Sequence, residues 1–496
     1  MSNSHPRTPA LLELRPLQLA SAVAVLLGIV YFYCDEKISV LDPDCWWHLK
    51  VGDWIVQHGA VPHTGVLTYT AADRPWAAYS WLYEVVLSRV NAMWGVVGIG
   101  WFGMALALTI ALTLFYSLLR LSKRFWVACL LAAAACYGFL FSLMPRPFFI
   151  SITLFTLVLT LVLEARRTEN VKVLYPLPLL FLLWANVHIQ FVYGLFLLVL
   201  LLFVEGGQTL LFRTRPAPEW LLPARLPLAR TATVAGCSLL ATCINPYGLH
   251  LYQVILEYSQ SKFAYEVVLE LQAADFRRPQ NFAAMLLLCA AVAAVAWRRH
   301  VDLYAVLLLF VSAMAALRTT RDFWFLCIPA AACLAASLRD DDASAARGKL
   351  HPAEWLAMVA GTLVFALLIA RNTGFDRRGM DAAMSEMFPR DAALFLQQRH
   401  LPGPLYNTLD WGGYLAYALP EYPVAIDGRN DLFGDAMDRG FYATQMGLRA
   451  PQEDLTLQQS RIVLLQSASP LASILETDPS FRLVYRDGLA TVFLRR

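Results

Sequence analysis

The sequence predicts an α-helical polytopic membrane protein with about eleven transmembrane helices and a small C-terminal α/β domain outside the membrane. Three observations carry this reading. Hydrophobic residues make up 58% of the chain against 16% charged, and the mean hydropathy is +0.51, well above that of a water-soluble globule. Apolar runs close to the length of a bilayer span recur along residues 1–371. Beyond them, residues 372–496 change to a charged, turn-rich composition with short alternating strands.

In order, the apolar runs cover 16–33, 96–119, 125–143, 148–163, 173–187, 191–211, 229–244, 282–297, 303–317, 323–338 and 355–370. Lys and Arg next to helix ends stay on the cytoplasmic side. An inside N-terminus (Arg7, Arg15) then makes every inner connection basic: Arg120/Lys123/Arg124, Arg166/Arg167/Lys172, Arg213/Arg215/Arg225/Arg230, Arg298/Arg299 and Arg339/Arg347/Lys349. Asp340–Asp342 is a short solvated acidic run among them. An odd number of spans puts the C-terminal domain outside. The first run is long for a signal peptide and is expected to remain as an anchor.

The outer segment 34–91 is expected to press onto the membrane surface as a lid. Trp47, Val51, Trp54 and Ile55 recur at helical spacing, with Asp44 at or beside the N-cap. A second amphipathic helix is expected over 76–90, with Glu84 and Arg89 on its polar face. In the C-terminal segment, strands are expected at 404–407, 424–426, 461–465, 481–485 and 490–494, with helices at 391–399 and 411–418. Seven of the nine cysteines fall within the spans, where a small apolar role is expected. A net charge of +3 gives no argument for nucleic acid.

The unusual polar residues gather at the outer ends of the spans. Asp42 and Asp44 are candidates for a general base and its orienting or cation-binding partner, and His48 is a candidate co-ligand of a divalent cation. The competing reading makes Asp44 a helix cap and Asp42 a solvated loop residue. Arg146, Arg318 and Arg321 sit in tight outer turns and suit phosphate binding, against snorkelling to head groups. His188 is a phosphate ligand or a packing residue. Trp411-Gly412-Gly413-Tyr414 and Asp427-Gly428-Arg429 are candidates for an acceptor groove, against simple turns. The sequence lacks a phosphate loop, a dinucleotide fingerprint, zinc-type spacings and a nucleophile elbow.

These features resemble the GT-C superfamily of polytopic glycosyltransferases. The resemblance rests on the acidic pair Asp42 and Asp44 in the first outer loop, the interfacial helices and the outer C-terminal domain. More narrowly, the chain is similar to a group of bacterial membrane proteins with Asp-Pro-Asp-x-Trp-Trp-His-Leu (here 42–49), Pro62-His63-Thr64, and a Trp-Leu-x-Glu helix (81–84). Tyr406-Asn407, the Trp411 to Tyr414 run and Asp427-Gly428-Arg429 fit the same group. The resemblance implies a bacterial inner membrane location with the C-terminal domain periplasmic. It also implies a polyprenyl-phosphate sugar donor and a glycan, lipid or protein acceptor. Asp44 or Asp42 would be the base, Arg146, His188, Arg318 or Arg321 the donor contacts, and His48, Trp47, Glu84, Asp427 and Arg429 acceptor or supporting residues. Gly65 departs from the pattern, where an Asp is expected. The alternative to an inverting transferase is a non-catalytic glycolipid-binding partner or a lipid-linked substrate carrier or flippase. Its ionisable residues would lie at mid-membrane in a carrier, whereas here they cluster at one face.

Overall fold

A computed structural model of the chain describes residues 15–139, 144–214, 216–340 and 350–496. Arg7, Arg215, Arg347, Lys349, Asp341 and Asp342 lie outside the described residues.

Within the described residues, each apolar run contains a helix. Six are long and apolar enough to cross a bilayer: Arg15–Asp35, Trp81–Ser122, Phe148–Thr168, Phe191–Leu211, Pro279–Ala296 and Pro352–Asn372. Phe125–Gly138, Leu177–Val187, Leu228–Thr242, Leu303–Arg318 and Phe323–Ser337 are shorter. At 1.5 Å per residue they reach roughly 16–24 Å, less than the ~30 Å hydrocarbon thickness. The basic residues assigned to the inner side meet at one end of the bundle. Arg15 pairs with Glu354 at 2.6 Å, Arg120 with Glu164 at 3.0 Å, and Arg166 with Glu205 at 3.0 Å and Asp302 at 2.8 Å.

At the other end, Pro43–His58 forms the first helix of the outer segment. Asp42 is its N-cap, accepting from the Asp44 N–H at 3.1 Å, and Pro43 occupies the first turn, where no amide is needed. The chain leaves the helix through Gly59 at φ 64°, a left-handed turn that favours glycine. The second helix begins at Trp81 rather than Trp76. Residues before it are held in loop pairing, with the Trp76 amide donating to the His63 carbonyl at 2.9 Å. This helix runs on into a span through a kink at Gly95, where φ is 64° and ψ −161°. The two outer helices touch backbone to backbone: a Cβ on Gly52 would lie 2.0 Å from the Glu84 carbonyl oxygen.

The C-terminal segment forms a four-stranded sheet of order β1-β2-β4-β3, from Leu405–Asn407 (β1), Ile462–Gln466 (β2), Phe481–Arg486 (β3) and Ala490–Arg495 (β4). β1 and β2 are parallel and the other pairs antiparallel. Asp487 makes the hairpin turn, its Oδ1 accepting from the Leu489 and Ala490 amides at 2.7 Å. The strand expected at 424–426 is absent from this sheet. Val424 instead makes single bridges to Leu405 and to Thr68 of the outer segment. Pro423 lacks an amide and Asp427-Gly428 turns the chain at once, so no longer ladder can form there.

The outer segment does not lie as a separate lid. Trp47, Val51, Ile55 and Trp76 share one buried apolar cluster with Tyr406, Leu432, Phe433 and Val463. The Leu409–Ala418 helix rests on the Pro43–His58 helix so closely that a Cβ on Gly413 would lie 2.7 Å from the Pro43 carbonyl oxygen. Burial of that shared surface fixes the outer segment against the C-terminal segment.

Candidate active site

Arg146 organises the site. Its turn, between Phe125–Gly138 and Phe148–Thr168, brings the guanidinium to the end of the Pro43–His58 helix. Nε and Nη2 donate to Asp42 Oδ2 and Oδ1, both at 2.8 Å, a bidentate pair. Nη1 reaches Asp44 Oδ2 at 2.9 Å and Glu270 Oε1 at 3.0 Å. Burial opposes the charge on Arg146, but the three carboxylates hold it protonated. Arg146 is therefore engaged with carboxylates, and the donor atoms a phosphate would need are occupied.

The two aspartates differ. The Asp42 side chain has no exposed surface and lies behind Arg146. Asp44 lines a cavity of about 520 Å³, with 22% of its side chain exposed. The Trp47 indole Nε1 donates to Asp44 Oδ1 at 3.0 Å. Burial pushes the Asp44 carboxyl up to about 6, the Arg146 charge opposing and the Asp42 charge adding to the rise. The cap role falls to Asp42, and the carboxylate open to a reactant is Asp44. Gly428 leaves room for it: a Cβ there would lie 2.1 Å from Asp44 Oδ1.

Arg321 and His188 also line this cavity. Arg321 donates to the Tyr258 hydroxyl at 3.2 Å and approaches Glu270 at 3.7 Å. Its buried Nε has no hydrogen-bond partner among the described residues. Ser151 Oγ accepts from the Trp184 indole at 2.8 Å and lies 2.9 Å from His188 Nδ1. Its own proton is then free to point at Nδ1, an assignment from the network that leaves the imidazole N–H on Nε2. Burial, with the nearby Arg321 charge, pushes the His188 imidazole down to about 3, so the ring stays neutral. The cavity thus holds a carboxylate that can take a proton and N–H donors that can meet an anion.

His48 lines the cavity too, but its Nδ1 lies 2.9 Å from Glu84 Oε1. Burial keeps this imidazole well below its usual range, with Arg146 and His188 adding to the effect. The cation site expected from Asp42, Asp44 and His48 is not assembled. Among the described residues, no three His, Cys, Asp or Glu side chains gather where they could hold a metal ion. The two aspartates hold a guanidinium in the place a cation would need, and His48 is paired elsewhere.

Other expected residues lie away from the cavity. Arg318 is exposed and sits over the Tyr265 ring, 5.2 Å from its centroid. Asp427 and Arg429 are a fully buried pair, with Nη2 to Oδ2 at 2.6 Å. Arg429 also donates to the Val66 carbonyl at 2.8 Å and stacks over Trp76. They tie the C-terminal segment to the outer segment. The Trp411 to Tyr414 run is packing: Tyr414 stacks on Phe388 at 4.8 Å and meets Trp46 edge-on. Gly65 cannot carry an acidic side chain without a shift, because a Cβ would lie 2.0 Å from the Ala71 carbonyl oxygen.

Glu270, Tyr258, Tyr79 and Asp431 were not singled out from the sequence, yet all four line the cavity. Asp431 Oδ2 accepts from the Trp76 indole at 2.8 Å, and burial pushes its carboxyl up to about 6. One sequence signal for it existed: Asp431 follows two residues after the Asp427-Gly428-Arg429 motif.

No family model and no curated protein matches the sequence. Solved structures do. ArnT from Cupriavidus metallidurans, bound to undecaprenyl phosphate, aligns with a TM-score of 0.51 at 15% identity, over 97% of this chain and 98% of that one. The Archaeoglobus fulgidus oligosaccharyltransferase, in its apo form, aligns with a TM-score of 0.50 at 10% identity, over 91% of this chain and 69% of that one. Identities this low show a shared fold alone: this chain has the architecture of these two membrane enzymes.

Proposed function

We propose that the chain transfers a sugar from a polyprenyl-phosphate-linked donor to an acceptor at the outer face of the membrane, with inversion at the anomeric carbon. The observation that carries this reading is the cavity that joins Asp44, with its raised carboxyl, to Arg321 and the neutral His188. The ionised Asp44 takes the proton of an acceptor hydroxyl or amine. The acceptor atom bonds to the anomeric carbon, the bond from that carbon to phosphate oxygen breaks, and the lipid phosphate leaves with the electron pair. Arg321 and the His188 Nε2–H meet the developing charge. Asp42 acts as a positioning residue: it orients Arg146, which in turn holds Asp44. The lipid tail lies among the spans near Phe148 and Phe191, and the similarity to a protein bound to undecaprenyl phosphate supports a donor of that class.

In this reading residues 1–371 form the membrane domain, with the N-terminus cytoplasmic in a bacterial inner membrane. Residues 372–496 form a periplasmic domain that closes over the acceptor. The test is release of free polyprenyl phosphate from a panel of polyprenyl-phosphate sugars by purified protein in nanodiscs. Asp44→Asn is expected to lower turnover by roughly 10²–10⁴-fold with donor binding kept. Donor binding without release from any donor by the unmodified protein would sink the enzyme reading in favour of a glycolipid-binding partner.

A further inference from the structure

A second cavity, also of about 520 Å³, lies against the first. It opens between the His250–Gln260 helix and the start of the Asn430–Gln445 helix. The two cavities share Tyr258, Asn430 and Asp431 as lining residues. Their chemistry is divided. The first carries the guanidinium groups of Arg146 and Arg321 among the carboxylates of Asp44, Asp410, Glu270 and Asp431, whereas the second has carboxylates and His250 but no Arg or Lys among the described residues.

The second cavity is built of neutral and acidic hydrogen-bonding groups. Gln253, Gln260 and Asn430 supply amides, Glu257 and Asp431 carboxylates, and Trp76 an aromatic wall. Asp435 is already engaged, accepting from Ser261 Oγ at 2.6 Å and the Lys262 amide at 2.7 Å, and so fixes the rim. Asp431 accepts from the Trp76 indole, which fixes its carboxylate at the junction of the two cavities. The volume falls within the ~300–1,000 Å³ of small-molecule sites. Carboxylates and amides that accept and donate in pairs suit vicinal hydroxyls, and the missing cations give a phosphate nothing to pair with.

We infer that this second cavity is the acceptor subsite and that it takes a neutral or amino-substituted, unphosphorylated glycan, whose reacting group passes Asp431 and Tyr258 to reach Asp44. The inference rests on the proposed transfer reaction for the word acceptor, but glycan binding is measurable without turnover. The phosphate-bearing reactant and the hydroxyl-bearing reactant are thereby kept in adjoining compartments, of which the first alone is lined by guanidinium groups among the described residues.

The experiment is saturation-transfer NMR on the full-length protein in nanodiscs with maltotriose, chitotriose, its deacetylated trimer and glucose 1-phosphate. Gln253→Leu and Glu257→Gln alter exposed side chains of the second cavity alone, and thermal unfolding checks that each variant folds. Expected is binding of at least one unphosphorylated trimer, weakened at least tenfold in the double variant, with glucose 1-phosphate no competitor. No trimer binding, binding indifferent to both substitutions, or preference for glucose 1-phosphate would overturn the subsite. Trimer binding by a protein that releases no polyprenyl phosphate would sink the transfer reaction and leave the glycan site standing.

Discussion

Two arginines at opposite ends of the bundle, Arg166 and Arg146, each hold acidic side chains from distant parts of the chain. Their surroundings differ. Arg166 is 3% exposed, and its partners are fully used: Glu205 Oε2 also accepts from the Arg225 and Leu226 amides, and Asp302 caps the next helix. Arg146 holds three carboxylates, of which Asp44 and Glu270 retain 22% and 32% exposure at a cavity. An ion cluster whose oxygens are all occupied joins helices. One with an excess of carboxylate beside a cavity keeps a proton acceptor ready.

Replacing either arginine by methionine breaks the comparison at its strongest point. Each leaves a buried carboxylate without its counter-charge, and each variant should lose about 3–5 kcal/mol of stability, read by thermal unfolding in detergent. Turnover per folded molecule separates them, with Arg166→Met unaffected and Arg146→Met inactive.

A smaller effect concerns Asp44 itself. Because its folded carboxyl titrates near 6, above the usual 3.8, the protonated form is the one the fold favours. That contribution is complete below about pH 4 and is lost as pH rises through 6. Asp44→Asn should therefore be more stable than the unmodified protein above pH 6, on the order of 2 kcal/mol, and should lose this advantage in acid. A flat difference between pH 4 and 8 would remove Asp44 from the strained position assigned to it.

The same carboxyl must be ionised to accept a proton, so kcat/KM should fall as pH drops through about 6. Trp47 stabilises the ionised form by its hydrogen bond. Trp47→Phe should move the acid limb upward by about one pH unit, the ~1.4 kcal/mol expected of one such bond. Glu270 acts in the opposite sense, and Glu270→Gln should move the limb downward by less, about half a unit. Limbs that shift the same way in both variants would contradict the charge arrangement around Asp44.

The Arg166 cluster was partly legible in the sequence, because Arg166 stands in a basic connection between two apolar runs. For the outer cluster the residues were visible and their pairings were not. Asp42 and Asp44 read as interchangeable, since both flank one proline, and only the cap geometry and Arg146 separate the buried one from the open one. Asp427 and Arg429 looked like groove residues because exposed turns often carry such groups. Their burial depends on Val66 and Trp76, which lie more than 350 positions away in the chain.

By itself the sequence determined the helical membrane class, the apolar runs and an acidic pair just beyond the first of them. Those properties are local or periodic along the chain, since hydropathy, helix spacing and loop charge act over a few to about twenty residues. Only the tertiary structure decided that Arg146 serves carboxylates, that Glu270 and Asp431 line the cavity beside Asp44, and that this cavity shares a wall with a second one that no Arg or Lys lines among the described residues. Arg146 meets Asp42 across 104 positions and Glu270 across 124. Helix packing sets such meetings, and no pattern of spacing along the chain encodes them.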